Sequence, residues 1–118
     1  MKRDWDCIRT ILLLLEATGD TTSVVNAGDV PGFDAETASY HMRLMIEARL
    51  IEGACSEAIG APLQCWGSAM TWEGHELLDK IRSPSIWNKI KTAARKQGVS
   101  LSLDLVKFLG TRAIENLF

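Results

Sequence analysis

Between residues 34 and 70 the spacing of apolar side chains switches from a helical to a strand period, and this switch constrains the fold most. Ala38, His41, Met42, Met45 and Ala48 recur at helical spacing, with Tyr40 and Leu44 adding apolar surface, so a helix is expected over 34–49. Asp34 is its cap, with Thr37 at the third helical position where a full capping box would carry Glu or Gln. "RLIEGACSEA" then reads as a strand, "IGAP" as a loop tip and "LQCWGSAMT" as a returning strand. A helix that runs straight into a hairpin requires two antiparallel strands packed beside it.

The rest of the chain is mostly helical. Asp4 or Asp6 caps a first helix whose Ile8, Ile11, Leu12 and Leu15 form one apolar face, and Gly19 suits a left-handed end to it. Residues 20–33 hold a short β-branched piece around Thr22 to Val25, followed by turn chemistry. Nothing there reads as a further helix. Thr71 caps "WEGHELLDKIR", with Glu73 and Glu76 in the first turns, where the helix dipole favours acids. Ser83-Pro84 is expected to break the chain, Ser85 to cap "IWNKIKTAARKQ", and Gly98 to end it. A last helix is expected from near Ser102 to the end, with Gly110 a mild weakness inside it. The expected order is helix, short strand, helix, hairpin, helix, helix, helix. This is an α+β, mainly α fold: a winged helix-turn-helix-like core over 1–82 and a C-terminal helical extension over 83–118. The extension is expected to pack on the core, as one compact unit, or on a second copy of the chain.

At 118 residues and 47% hydrophobic, the chain can bury one core. The longest apolar run, Ile11 to Leu15, is too short for a bilayer, and "MKRDWDCIRT" lacks the apolar segment of a signal peptide. A soluble cytoplasmic protein with no membrane partner is expected. Three cysteines at scattered spacing argue against a disulfide framework and fit a reducing compartment. Cys55, Cys65 and His75 lack zinc-site spacing, so no metal is expected. No phosphate loop, dinucleotide fingerprint or nucleophile–base pattern is present, and His41 and His75 are each isolated. The chain is therefore read as a non-enzyme, with no catalytic residues, no cofactor and no small-molecule substrate.

Charge bears on nucleic-acid partners, because phosphate attraction dominates their affinity. Residues 1–79 carry five basic and thirteen acidic side chains, net −8, and residues 80–118 carry eight basic and two acidic, net +6. A groove-reading helix uses its N-terminal side chains on base edges. Tyr40 and Arg43 are thus candidate base contacts, and Thr37 and Ser39 candidate phosphate contacts. Against them, the helix opens with Asp34 and Glu36, and the hairpin carries Glu52 and Glu57 without a cation. The basic stretch offers Lys89, Lys91, Arg95 and Lys96 as a second candidate surface for nucleic acid or an acidic protein. Candidate partners are DNA, another protein, or a second copy of the chain. Trp5, Trp66, Trp72 and Trp87 are expected to anchor packing, and any one of them left exposed would mark a partner surface.

Four stretches, "MKRDWDCIRTILLLLE", "ASYHMRLMIEARLIEG", "MTWEGHELLDKIRSPSIWNKIK" and "SLSLDLVKFLG", together resemble the bacterial and prophage family known as domain of unknown function 2513. The resemblance covers nearly the whole chain in order and is most specific in "TWEGHELLDKIR" and "WNKIK". It implies a winged-helix-like domain with a helical extension, often of phage origin, and supplies no functional residues. Arg49 departs from the pattern, which has Gly before "LI"; with Arg there, the helix is expected to end by another geometry.

Overall fold

The computed structural model describes residues 1–118. Five α-helices and one three-stranded antiparallel sheet make an α+β, mainly helical chain in the order expected from the sequence. The helices are α1 (Trp5–Ala17), α2 (Ala35–Glu47), α3 (Trp72–Ile81), α4 (Pro84–Gln97) and α5 (Leu103–Glu115). The strands are β1 (Val25–Asn26), β2 (Ile51–Ser56) and β3 (Gln64–Met70), arranged β1–β3–β2. The chain forms two compact units, Met1–His75 and Glu76–Phe118, which divide inside α3.

In the first unit, Asp4 caps α1 by accepting the Asp6 N–H at 2.9 Å. The expected apolar face of α1 is buried, with Trp5 and Cys7 joining it. Thr18 ends α1 in an extended conformation and Gly19 is not left-handed, contrary to the sequence expectation. β1 begins later than expected because Asp20 claims the preceding amides: its carboxylate accepts the Thr22 N–H at 2.9 Å and the Ser23 N–H at 2.6 Å. A single 3-10 turn at Ala27–Asp29, not anticipated from the sequence, follows β1 and packs on α2.

α2 lies against both hairpin strands and buries Ala38, Met42 and Met45. It ends on a left-handed residue after all, since Arg49 has φ 60°. The Leu50 N–H reaches the Met45 carbonyl at 2.9 Å and the Arg49 N–H reaches that of Ile46 at 3.0 Å, which is the Schellman pattern. Four carbonyls without helical partners favour this wrap strongly enough that an L-residue adopts the conformation. The β2–β3 register shifts between Glu52 and Gly53, leaving Ser68 as one extra residue on β3. Gly53 is required at this bulge, because a Cβ there would run into the Trp66 carbonyl. The expectation of unpaired cysteines is overturned: Cys55 and Cys65 face each other across β2 and β3 and form a disulfide. Their spacing looks arbitrary along the chain but is set by strand register.

In the second unit, α4 starts two residues earlier than expected. Ser83, not Ser85, caps it by accepting the Ile86 N–H, and Pro84 occupies the first helical position, where a missing N–H costs nothing. Gly98 closes it with φ 66°, as expected. Ser102 caps α5, which ends at Glu115 rather than at the last residue. Gly110 is a contact point and not merely a weak helix former: a Cβ there would lie 2.8 Å from the Lys80 Cβ.

Candidate functional site

The residues the sequence nominated on α2 do not form one outward row. Thr37 is half-buried; its N–H donates to Asp34 Oδ1 at 2.7 Å, and its carbonyl accepts the His41 Nδ1–H at 2.8 Å. Hydrogen bonding of the amide holds the Asp34 carboxyl below the ordinary carboxylate range. Ser39 does not face solvent. It is 1% exposed, and its hydroxyl accepts the Cys65 backbone N–H at 3.0 Å. β1 pairs only with Trp66 and Gly67, so it stops short of Cys65, and a side chain from α2 satisfies the N–H that a longer strand would have bonded.

Tyr40 and Arg43 are, like Thr37, half-buried, and they serve each other and the hairpin. The Arg43 guanidinium lies 5.7 Å from the Tyr40 ring centroid, and its Nη1 donates to Glu57 Oε1 at 3.0 Å. The lone cation within α2 is thereby committed to an acid of the β2–β3 loop. Asp34, Glu36, Glu47 and Glu52, on α2, its cap and β2, are all exposed, as is Arg49. His41 is fully buried and is internal to the fold: Nε2 accepts the Asp4 N–H at 2.7 Å, so the ring is neutral with its proton on Nδ1.

The basic surface of the second unit is more open. Lys89, Arg95 and Lys96 are exposed on α4, while the Lys91 ammonium lies 5.6 Å from the Trp87 ring centroid. Lys89 and Lys96 border a groove of about 650 Å³ whose lining includes Ala93 and Leu109.

Three of the four tryptophans are buried or half-buried, and Trp72 is 78% exposed. It opens α3 directly after Thr71. The Thr71 hydroxyl donates toward the Arg49 carbonyl at 2.6 Å and the Leu50 carbonyl at 2.9 Å, and it accepts the Gly74 N–H at 3.1 Å. The indole is therefore carried on a fixed corner beside the end of α2. The capping pattern located Thr71, but no sequence signal separates an exposed tryptophan from a buried one at a first helical position.

Of Thr37, Ser39, Tyr40 and Arg43, the structure brings together only Tyr40 and Arg43 as a pair. No group of three or more His, Cys, Asp or Glu is placed to hold a metal ion, and no helix is long and apolar enough to cross a membrane.

A family model described as "Hypothetical protein (DUF2513)" matches residues 2–100. An "Uncharacterized protein" of Haemophilus influenzae strain Rd is 39% identical over 117 residues, covering 99% of this chain and 98% of its own length. No solved structure matches.

Proposed function

The chain belongs to the DUF2513 family, and from that premise we propose a non-enzymatic protein-interaction module on a winged-helix scaffold. It docks through Trp72 and the acidic surface of α2 and the hairpin onto a basic partner. The scaffold reading is supported by α2 packed on both strands of the β2–β3 hairpin, with β1 completing a β1–β3–β2 sheet. In this reading the single 3-10 turn at Ala27–Asp29 stands in for the first full helix of a helix-turn-helix. The phage or prophage origin implied by the family resemblance is part of this proposal.

The observation that carries the reading is Trp72, which leaves 78% of a large amphipathic side chain in water at a rigid corner. Folding gains little from an indole so placed, whereas interfaces draw much of their energy from such residues. The Arg43–Glu57 ion pair supports the same reading, because a phosphate-gripping surface needs cations that are not already matched by acids. The test is capture from the native host by immobilised wild type and Trp72→Ala. A partner retained by wild type, lost with Trp72→Ala and eluted by moderate salt supports the proposal. Identical captures by the two proteins contradict it.

A second reading, nucleic-acid contact, is favoured by the exposed Lys89, Arg95 and Lys96 of α4. Fluorescence anisotropy with random duplex in low salt tests it. Binding that weakens with Lys89→Ala or Lys96→Ala but not with Arg43→Ala would assign contact to this face. Flat traces to tens of micromolar, about the range of non-specific affinities, would remove it.

A further inference from the structure

We propose that Cys55 and Cys65 form a reversible redox couple that controls whether the distal hairpin, residues 56–64, is held against α2. The two cysteines are directly paired on β2 and β3 with Cα atoms 4.0 Å apart, and only the Ser56–Gln64 pair lies beyond them. The disulfide thus closes the hairpin loop at its base.

α2 grips the hairpin on both sides of this bridge. Ser39 Oγ accepts the Cys65 N–H at 3.0 Å, and Arg43 donates to Glu57 at 3.0 Å. Ser39 and Arg43 are one turn apart, so one stripe of α2 holds both β3 and the start of the β2–β3 loop. Past the bridge there is little else to hold the chain. Glu57 to Pro62 are exposed, and the one backbone hydrogen bond internal to the tip runs from the Ala61 N–H to the Ala58 carbonyl. An ion pair between exposed side chains contributes little. The covalent link is therefore the dominant restraint, and its loss releases Glu57 from Arg43.

The bridge can be reached from one side. Cys65 is 4% exposed and Cys55 is half-open, so an incoming thiolate attacks Cys55 Sγ. The Cys65 thiolate leaves and takes a proton. A second thiol then displaces Cys55 from the mixed disulfide, giving two protein thiols and one disulfide of the reductant. A small disulfide such as oxidised glutathione reverses the sequence, two electrons in each direction. Cys7 does not compete: it is buried in α1, and burial, reinforced by the Asp4 charge, pushes its thiol up to about 12.

The experiment uses the full chain in reduced and oxidised glutathione buffers, with acid quench, alkylation and mass spectrometry, and hydrogen–deuterium exchange on each form. Cys55 and Cys65 should interconvert reversibly without denaturant while Cys7 remains a free thiol in both forms. The hydrogen-bonded amides at and beyond the bridge, Cys65 and Ala61, should exchange faster in the reduced form, by up to the roughly hundredfold that a loop of this length implies. Cys55→Ser, which cannot close the bridge, should show the reduced profile in both buffers. A disulfide that survives excess dithiothreitol in the folded protein overturns the proposal. So does a reduced or Cys55→Ser chain whose exchange at Cys65 and Ala61 matches the oxidised wild type.

Discussion

The His41 imidazole accepts the Asp4 backbone N–H at 2.7 Å, across a separation of 37 residues, and so ties the cap of α1 to the middle of α2. The ring is fully buried and both nitrogens are used. His41→Ala would open a cavity and leave the Asp4 N–H without its partner. It should cost about 3 kcal/mol or more, measured by urea denaturation. A loss below about 1 kcal/mol would show that the imidazole does not hold the two helices together.

Arg49 is exposed and adopts φ 60°. A left-handed conformation costs an L-residue about 1–2 kcal/mol, and glycine adopts it freely. Arg49→Gly should therefore raise stability by about 1 kcal/mol, reduced somewhat by the extra entropy of glycine in the unfolded chain. A destabilised Arg49→Gly protein would mean that the side chain makes a compensating contact.

Gly110 offers a test in which two rules give opposite signs. Helix propensity alone makes Gly110→Ala stabilising by up to about 1 kcal/mol. The structure places a new Cβ 2.8 Å from the Lys80 Cβ and 3.1 Å from the Lys80 carbonyl oxygen. Overpacking of this kind typically costs about 1–3 kcal/mol. Thermal denaturation should show a lowered midpoint.

The Asp34 cap makes the start of α2 acid-sensitive. Amide hydrogen bonds from Thr37 lower the folded-state pKa of Asp34 below its unfolded value. The contribution is therefore fully present above the unfolded pKa, near pH 4, and is lost as pH falls through the folded one. Asp34→Ala should be less stable than wild type at pH 7, and the difference should shrink at pH 3. A difference that persists unchanged at pH 3 would exclude the carboxylate as its source.

The elements were largely legible in the sequence because each carries local chemistry. Ile8, Ile11, Leu12 and Leu15 mark the inner face of α1, and Asp34, Thr71 and Ser102 mark helix starts. What was not legible depends on neighbours distant in sequence. Ser39 reads as a polar, outward residue until β3 supplies the Cys65 N–H for it to accept. The cysteines read as scattered until the hairpin register sets them opposite each other, equidistant from Gly60. Arg43 reads as a free cation until Glu57 is brought to it, so the candidate site shrank for a reason that helix periodicity alone could not reveal. The Arg49 departure misled in the other direction, because the carbonyls of Met45 and Ile46 dictate the turn more strongly than the side chain opposes it.

We propose that the surface of α2 and the hairpin meets protein rather than nucleic acid. The most direct measurement is a titration of isotope-labelled protein with short random duplex in low salt, followed by amide chemical shifts. The amides of Thr37, Tyr40 and Arg43 should stay in place, whatever the lysines of α4 do. Saturable shifts at those three amides, with Glu57 moving alongside them, would contradict it.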